Sequence, residues 1–251
     1  MKPLARTFAL CICIVFVVSS TAKPLAQQAR IPNLDNLKDY PDVGQKCPLR
    51  GNAPAGQEKA KSNALKNRYK LPPGGFTPML LSDIFSLPLG PGGEAPLSGD
   101  PNNAKAVSVV GFVHAVEKGG SRGESCNCKA TGGNQVDTHI ELILDPNNPS
   151  SKGRKMVVVE VTERGRRLAI SKFLQTNIGN NWTTSMLKSR LLGRWVRFSG
   201  WLFYDPDHHL ETWQSDPDDS RGKANWRETG WEIHPVMAIE VNVTPPPDRI
   251  Q

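Results

Sequence analysis

Five segments with strand-like composition follow one another between residues 106 and 241, and one capped helix separates the third from the fourth. That order constrains the fold more than any other feature of the chain. Residues 106–116 read AVSVVGFVHAV. Residues 138–144 alternate, with Thr138, Ile140, Leu142 and Leu144 on one face and Asp137, His139 and Glu141 on the other, because successive side chains of a strand point to opposite sides. Residues 156–161 (MVVVEV) are rich in β-branched side chains. Residues 183–193 (TTSMLKSRLLG) carry a capping Thr, apolar Met186, Leu187 and Leu191, and a terminal glycine, which together mark a short helix. Residues 194–204 turn Val196, Phe198 and Leu202 inward, and residues 231–241 (WEIHPVMAIEV) complete the set. Three strands, a helix and two strands fit an all-β fold with one short helix: an OB-like five-stranded Greek-key β-barrel over residues 104–244. Gly111 and Gly200 suit the bends that a small barrel requires.

The ends read differently. Residues 1–22 hold Lys2 and Arg6, an apolar run, and then Ser20, Thr21 and Ala22, the pattern of a cleavable secretory signal whose apolar run is too short to span a bilayer. A secreted or periplasmic protein is expected. Residues 23–103 are rich in Pro, Gly, Asn and Lys, so a flexible extension is expected there. Within it one charged surface helix is predicted at 56–69, and residues 80–87 are expected to pack on the barrel. Residues 245–251 form a tail. Of 31 basic and 24 acidic side chains, loss of Lys2 and Arg6 leaves 29 and 24, a net charge of +5. That is compatible with a polyanionic partner but does not require one. Cys47, Cys126 and Cys128 are the cysteines beyond the leader, and a disulfide from Cys47 to Cys126 or Cys128 is expected in an oxidising compartment.

Ionisable residues gather at the roots of the two longest loops, 117–136 and 205–229. Asp137 and His139 open the second strand, Asp205 and His208 follow the fourth, and Glu232 with His234 open the fifth. The strings DTHIELIL, FYDPDH and WEIHPVMAI resemble an uncharacterised group of exported bacterial OB-like proteins that carry a D-x-H strand, an aromatic-D-x-x-H strand end and a final E-[IL]-H-P strand. The resemblance covers 107–241, and CPLRG and LKNRY near the N-terminus are similar to closer relatives. It implies that His139, Asp205, His208, Glu232 and His234 form one set, and it implies no activity. His209 lies outside the motif, so the choice between His208 and His209 stays open.

Two chemistries compete for these residues. Imidazoles and carboxylates on neighbouring strands suit a divalent metal such as zinc, with Asp137, His139, Asp205, His208, Glu232 and His234 as ligands. An open coordination position there would make a metal-dependent hydrolase of a phosphodiester or ester. A buried hydrogen-bonded lock is the plainer reading. Separately, Trp195, Arg197 and Trp201 fall on the outward face of the fourth strand, with Trp213 in the second loop. Aromatic rings beside Arg make a stacking platform for bases or sugars, and Arg164, Arg166 and Arg167 add a basic cluster. The leading expectation is a binding module for an oligonucleotide or oligosaccharide held between the two long loops. A metal-dependent hydrolase comes second, and a structural or protein-binding envelope protein third.

Overall fold

The computed structural model describes residues 47–119, 123–147, 155–170, 175–220 and 225–247. The leader expected at 1–22, and the outer parts of the extension and tail, lie outside them. In chain order the elements are α1 (Glu58–Lys66), β1 (Thr77–Pro78), α2 (Leu81–Phe85), β2 (Ala106–Lys118), β3 (Thr138–Ile143), β4 (Met156–Val161), α3 (Glu163–Ile170), β5 (Gln175–Thr176), α4 (Thr184–Leu191), β6 (Trp195–Tyr204) and β7 (Trp231–Val241). β2 runs antiparallel to β3 and β6, β3 antiparallel to β4, β6 antiparallel to β7, and β4 parallel to β7. That circuit closes a five-stranded barrel. The two-residue strands β1 and β5 add to β2 and β7 at its edges.

Alternation sets the faces as the sequence implies. Ile140 and Leu142 of β3, Val157 and Val159 of β4, Val196, Phe198 and Leu202 of β6 and Ile233 of β7 are all fully buried in one core. Full burial of such a side chain contributes about 1.5–3 kcal/mol. Leu187 and Leu191 of α4 close part of this core, and the Thr183 hydroxyl caps that helix by accepting from Met186 N. Pro235 lies in β7, a strand paired on both sides, so it marks no edge. The pairing of β6 with β7 instead shifts register around Gly200, a bulge that accommodates a residue without an amide donor. A Cβ on Gly200 would come within 2.4 Å of Pro235 O, so only glycine allows β6 this close to the bulge.

The helix expected at 56–69 forms as α1, and residues 80–87 hold α2, which packs on the barrel as expected. The barrel segment carries two helices, α3 and α4, where one was expected, and α3 takes up the basic stretch around Arg164, Arg166 and Arg167. The rest of 47–103, expected to be flexible, includes the short strand β1. Leu81 and Ile84 of α2 are fully buried in the barrel core, and Tyr69 is buried with them. Short Pro/Gly-punctuated segments cannot build a core of their own, but they gain one by docking on a barrel that already exists.

Candidate functional site

The barrel's outer face under α1 carries the charged residues. Glu160 and His139 sit opposite each other on β4 and β3, and both point away from the core because their neighbours Val159, Val161 and Ile140 point into it. Glu232 and His234 flank the inward Ile233 in the same way. A layer made of residues 47–68 and the cysteine loop covers them. Asn63 Nδ2 donates to Arg50 O and to Ser125 Oγ, and Asn67 Nδ2 donates to Leu49 O and Cys126 O. The Cys47–Cys128 disulfide joins the two parts of the layer. Cys126, the other expected partner, is a buried free thiol. Its Sγ lies 3.2 Å from Glu124 Oε2, and Cys47 Sγ meets Cys126 at the carbonyl oxygen, 3.4 Å away.

Under this layer, charges alternate. His139 Nε2 lies 2.9 Å from Glu160 Oε1. His234 Nδ1 is 3.0 Å from Glu232 Oε1 and 3.4 Å from Glu160 Oε2. Arg227 donates to Glu232 Oε2 at 2.8 Å, and Asn127 donates to Asp137 Oδ2 at 2.9 Å. Lys66, the last residue of α1, donates to Asp205 Oδ2 at 2.8 Å and stands over the Phe203 ring. Glu232 and His234 are completely buried, and Asp137, Glu160 and Asp205 are nearly so. Gly119 makes room for the imidazole of His139, whose Cδ2 would lie 2.5 Å from a Cβ at that position.

Burial opposes every charge in this cluster, and the partners decide the outcome. For His139 burial works against protonation, but the Glu160 carboxylate outweighs it and lifts the pKa to about 9. Burial likewise opposes charge on His234, which Glu160 and Glu232 nonetheless raise. Asp205 stays well below the usual carboxylate range, because Lys66 more than reverses the effect of burial. Asp137 has less help: burial, joined by Glu160 and Glu124 against His234, pushes it up to about 6. Burial also raises the Cys126 thiol, keeping it protonated.

The His139 shift predicts a pH dependence. Below its unfolded value of 6.5 the imidazole is charged in both states, and the ion pair is fully in force. As pH rises through 6.5 to about 9, only the folded state still holds the proton, and that stabilisation disappears. Chelator-treated protein is expected to lose about 2 kcal/mol against urea across this window. A His139→Gln variant should lose much less, and a parent curve that is flat or rising there would refute the assignment.

The structure thus brings together Asp137, His139, Glu232 and His234 and adds Glu160, which the sequence reading did not name. It separates Asp205, which turns to Lys66, and His208, whose Nδ1 is 2.8 Å from Glu211 Oε2 and whose ring meets Trp226 edge-on. His208 Nε2 is still 3.9 Å from Asp205 Oδ2, so it borders the cluster without joining it. His209 pairs with the Tyr204 hydroxyl. Neither histidine belongs to the buried set, because the 3-10 turn Pro206–Glu211 carries both away from β7. Glu160 had a sequence signal, as the one polar residue of MVVVEV.

The aromatic platform is also divided. Trp195 packs edge-on to Phe112 with ring centroids 5.6 Å apart, and Arg197 pairs with Glu240 at 2.6 Å. Half-buried Trp213 lies in the second loop, its amide donating to Arg227 O. Trp201 alone of the four lines a cleft of about 570 Å³, where it meets Leu49, Leu65, Tyr69 and Pro101. Its indole N–H donates to Lys70 O, and the Arg68 guanidinium sits 4.8 Å above the ring. The basic cluster is engaged elsewhere. Arg166 donates to Asn134 O, Val136 O, Trp182 O and Thr138 Oγ1, Arg164 donates to Cys47 O, and Arg167 pairs with Glu163.

Comparison of the chain with protein-family profiles, with curated proteins and with solved structures finds no match.

Proposed function

We propose that this chain is an exported OB-like binding module that holds a neutral oligosaccharide in the cleft beside Trp201. The closed five-strand circuit, with helices between its third and fourth strands, supports the OB reading. The Cys47–Cys128 disulfide supports export, since disulfides persist in oxidising compartments. No described helix is long and apolar enough to cross a membrane.

The observation that carries the ligand class is the cleft. Its volume lies in the range of small-molecule sites, its lining is mostly apolar with the rings of Tyr69 and Trp201, and Ser98, Asp100, Arg68 and Lys70 add polar groups. Sugar rings present apolar C–H faces to an aromatic ring and hydroxyls to such groups. A nucleic acid would need several cations available for phosphate, whereas the cleft lining holds only two among the described residues, Arg68 and Lys70; Arg68 donates to Asn103 O and Leu202 O, and Arg164, Arg166 and Arg197, held as described, lie outside that lining. Oligosaccharide is therefore favoured over oligonucleotide. The hydrolase reading has less support, because His234, Glu160 and Asp137 lie sealed beneath the cover.

Titration calorimetry with cello-, chito- and malto-oligosaccharides, and with single-stranded DNA as the contrast, tests this. At least one glycan is expected to bind, and Trp201→Ala should weaken it by about 1–3 kcal/mol, the scale of losing one stacking ring, with the fold intact by circular dichroism. Binding of DNA alone, weakening steeply with salt, would replace the proposal by the nucleic-acid reading.

A further inference from the structure

We infer that Asp137, Glu160 and His234 form a buried site for one first-row divalent cation, Zn²⁺ or Mn²⁺, which clamps the seam between β4 and β7. The site is independent of the sugar cleft. One ligand-type atom from each of the three residues lies within 4.8 Å of the other two, the span that a single ion can bridge.

Unsatisfied polar atoms point to the ligand. His234 is completely buried, yet its Nε2 has no hydrogen-bond partner, and neither have the buried Asp137 Oδ1 and Glu160 Oε2, the latter 3.4 Å from His234 Nδ1. Buried polar atoms are nearly always satisfied, so three exceptions within one cluster need a cause. His234 Nε2 is 3.8 Å from Asp137 Oδ2, too far for a hydrogen bond but consistent with two ligands of a common ion.

The surroundings of His234 are those of a metal-bound imidazole. Its other nitrogen, Nδ1, contacts Glu232, which Arg227 holds in place. A carboxylate on the far nitrogen fixes the tautomer and turns the Nε2 lone pair toward a metal. One imidazole with two carboxylates suits a borderline transition cation better than Mg²⁺ or Ca²⁺, which prefer all-oxygen shells. The free thiol of Cys126 lies within 4.8 Å of an Asp137 oxygen. It places a soft donor next to the site.

The position also gives the ion work to do. β4 and β7 are joined by a single residue pair, Val159 with Ile233, the sparsest seam of the barrel. Glu160 follows Val159 directly, and His234 follows Ile233. A cation held by both, and by Asp137 at the start of β3, ties three strands where backbone pairing is thinnest. Because the ligands are buried, binding would be coupled to folding.

The test uses purified full-length protein, stripped with chelator and titrated with Zn²⁺, Mn²⁺, Mg²⁺ or Ca²⁺ while bound metal and the thermal unfolding midpoint are followed. One equivalent of Zn²⁺ or Mn²⁺ is expected to bind. The midpoint should rise with metal concentration, the folding equilibrium shifting about 100-fold when free metal is a hundred times Kd. Glu160→Gln and Asp137→Asn should each weaken binding at least tenfold, whereas Glu240→Gln, on the exposed face of β7, should not. If Zn²⁺ and Mn²⁺ leave the parent's midpoint unchanged, the proposal is wrong, and this arm holds even where a variant fails to fold. Equal affinity in parent, Glu160→Gln and Asp137→Asn would overturn it as well.

Discussion

Lys66→Met is expected to destabilise the protein by about 3–5 kcal/mol, the cost of leaving one member of a buried ion pair alone. Lys66 and Asp205 retain only 5% and 1% of their side-chain exposure. Methionine keeps the aliphatic volume against Phe203 and removes only the charge. Asp205 then remains ionised in a low-dielectric site where its Oδ2 has lost its donor, although its Oδ1 still accepts from Asp207 N. The double variant Lys66→Met, Asp205→Asn should recover most of the loss, since a neutral amide is far cheaper to bury than an unpaired carboxylate. Urea unfolding measures both, with the midpoint moving and the slope unchanged. A single-variant effect below about 1 kcal/mol would place the pair among solvent-exposed bridges and dismiss it as the anchor of α1.

Removing the disulfide should have the second large effect. Cys47 and Cys128 are 81 residues apart, and closing a loop of that length restricts the unfolded chain enough to stabilise the fold by about 2–5 kcal/mol. Cys47→Ala with Cys128→Ala also leaves Cys126 without a thiol neighbour with which to exchange. The loss should not be uniform. Amides in α1 and around Asn127 are expected to lose hydrogen-exchange protection more than those of β3 and β6, because the bond pins the cover and the barrel has its own ladder. Equal loss of protection in cover and barrel would mean that the cover does not open separately.

The strands were legible because alternation is a local property. Ile140 and Leu142 against His139 and Glu141 say which face is which before any partner is known, and the Thr183 cap and Gly193 bracket α4 in the same local way. The doublets Asp137 with His139 and Glu232 with His234 were legible for the same reason, since residues two apart on a strand share a face. The aromatic platform was only partly legible: outward orientation of Trp195, Arg197 and Trp201 followed from the pattern, but Glu240 across β7 takes Arg197 and Phe112 takes Trp195.

Long-range register was not legible. Lys66 looks like any solvated lysine on a charged helix, and only docking of α1 places it over Phe203 beside Asp205, 139 positions away. Arg166 reads as part of a basic surface, yet four oxygen acceptors enclose it once α3 folds against the start of β3. Glu160 was visible as one carboxylate in a β-branched run, but its meaning depends on facing His139 across one ladder and His234 across another. The sequence by itself determined the strands, their faces, the α4 cap and the ionisable doublets, because these follow from interactions between near neighbours. Tertiary structure alone decided which charges are buried together and which cations are already engaged. Desolvation and pairing act between residues that meet only when the barrel closes and the N-terminal layer covers it.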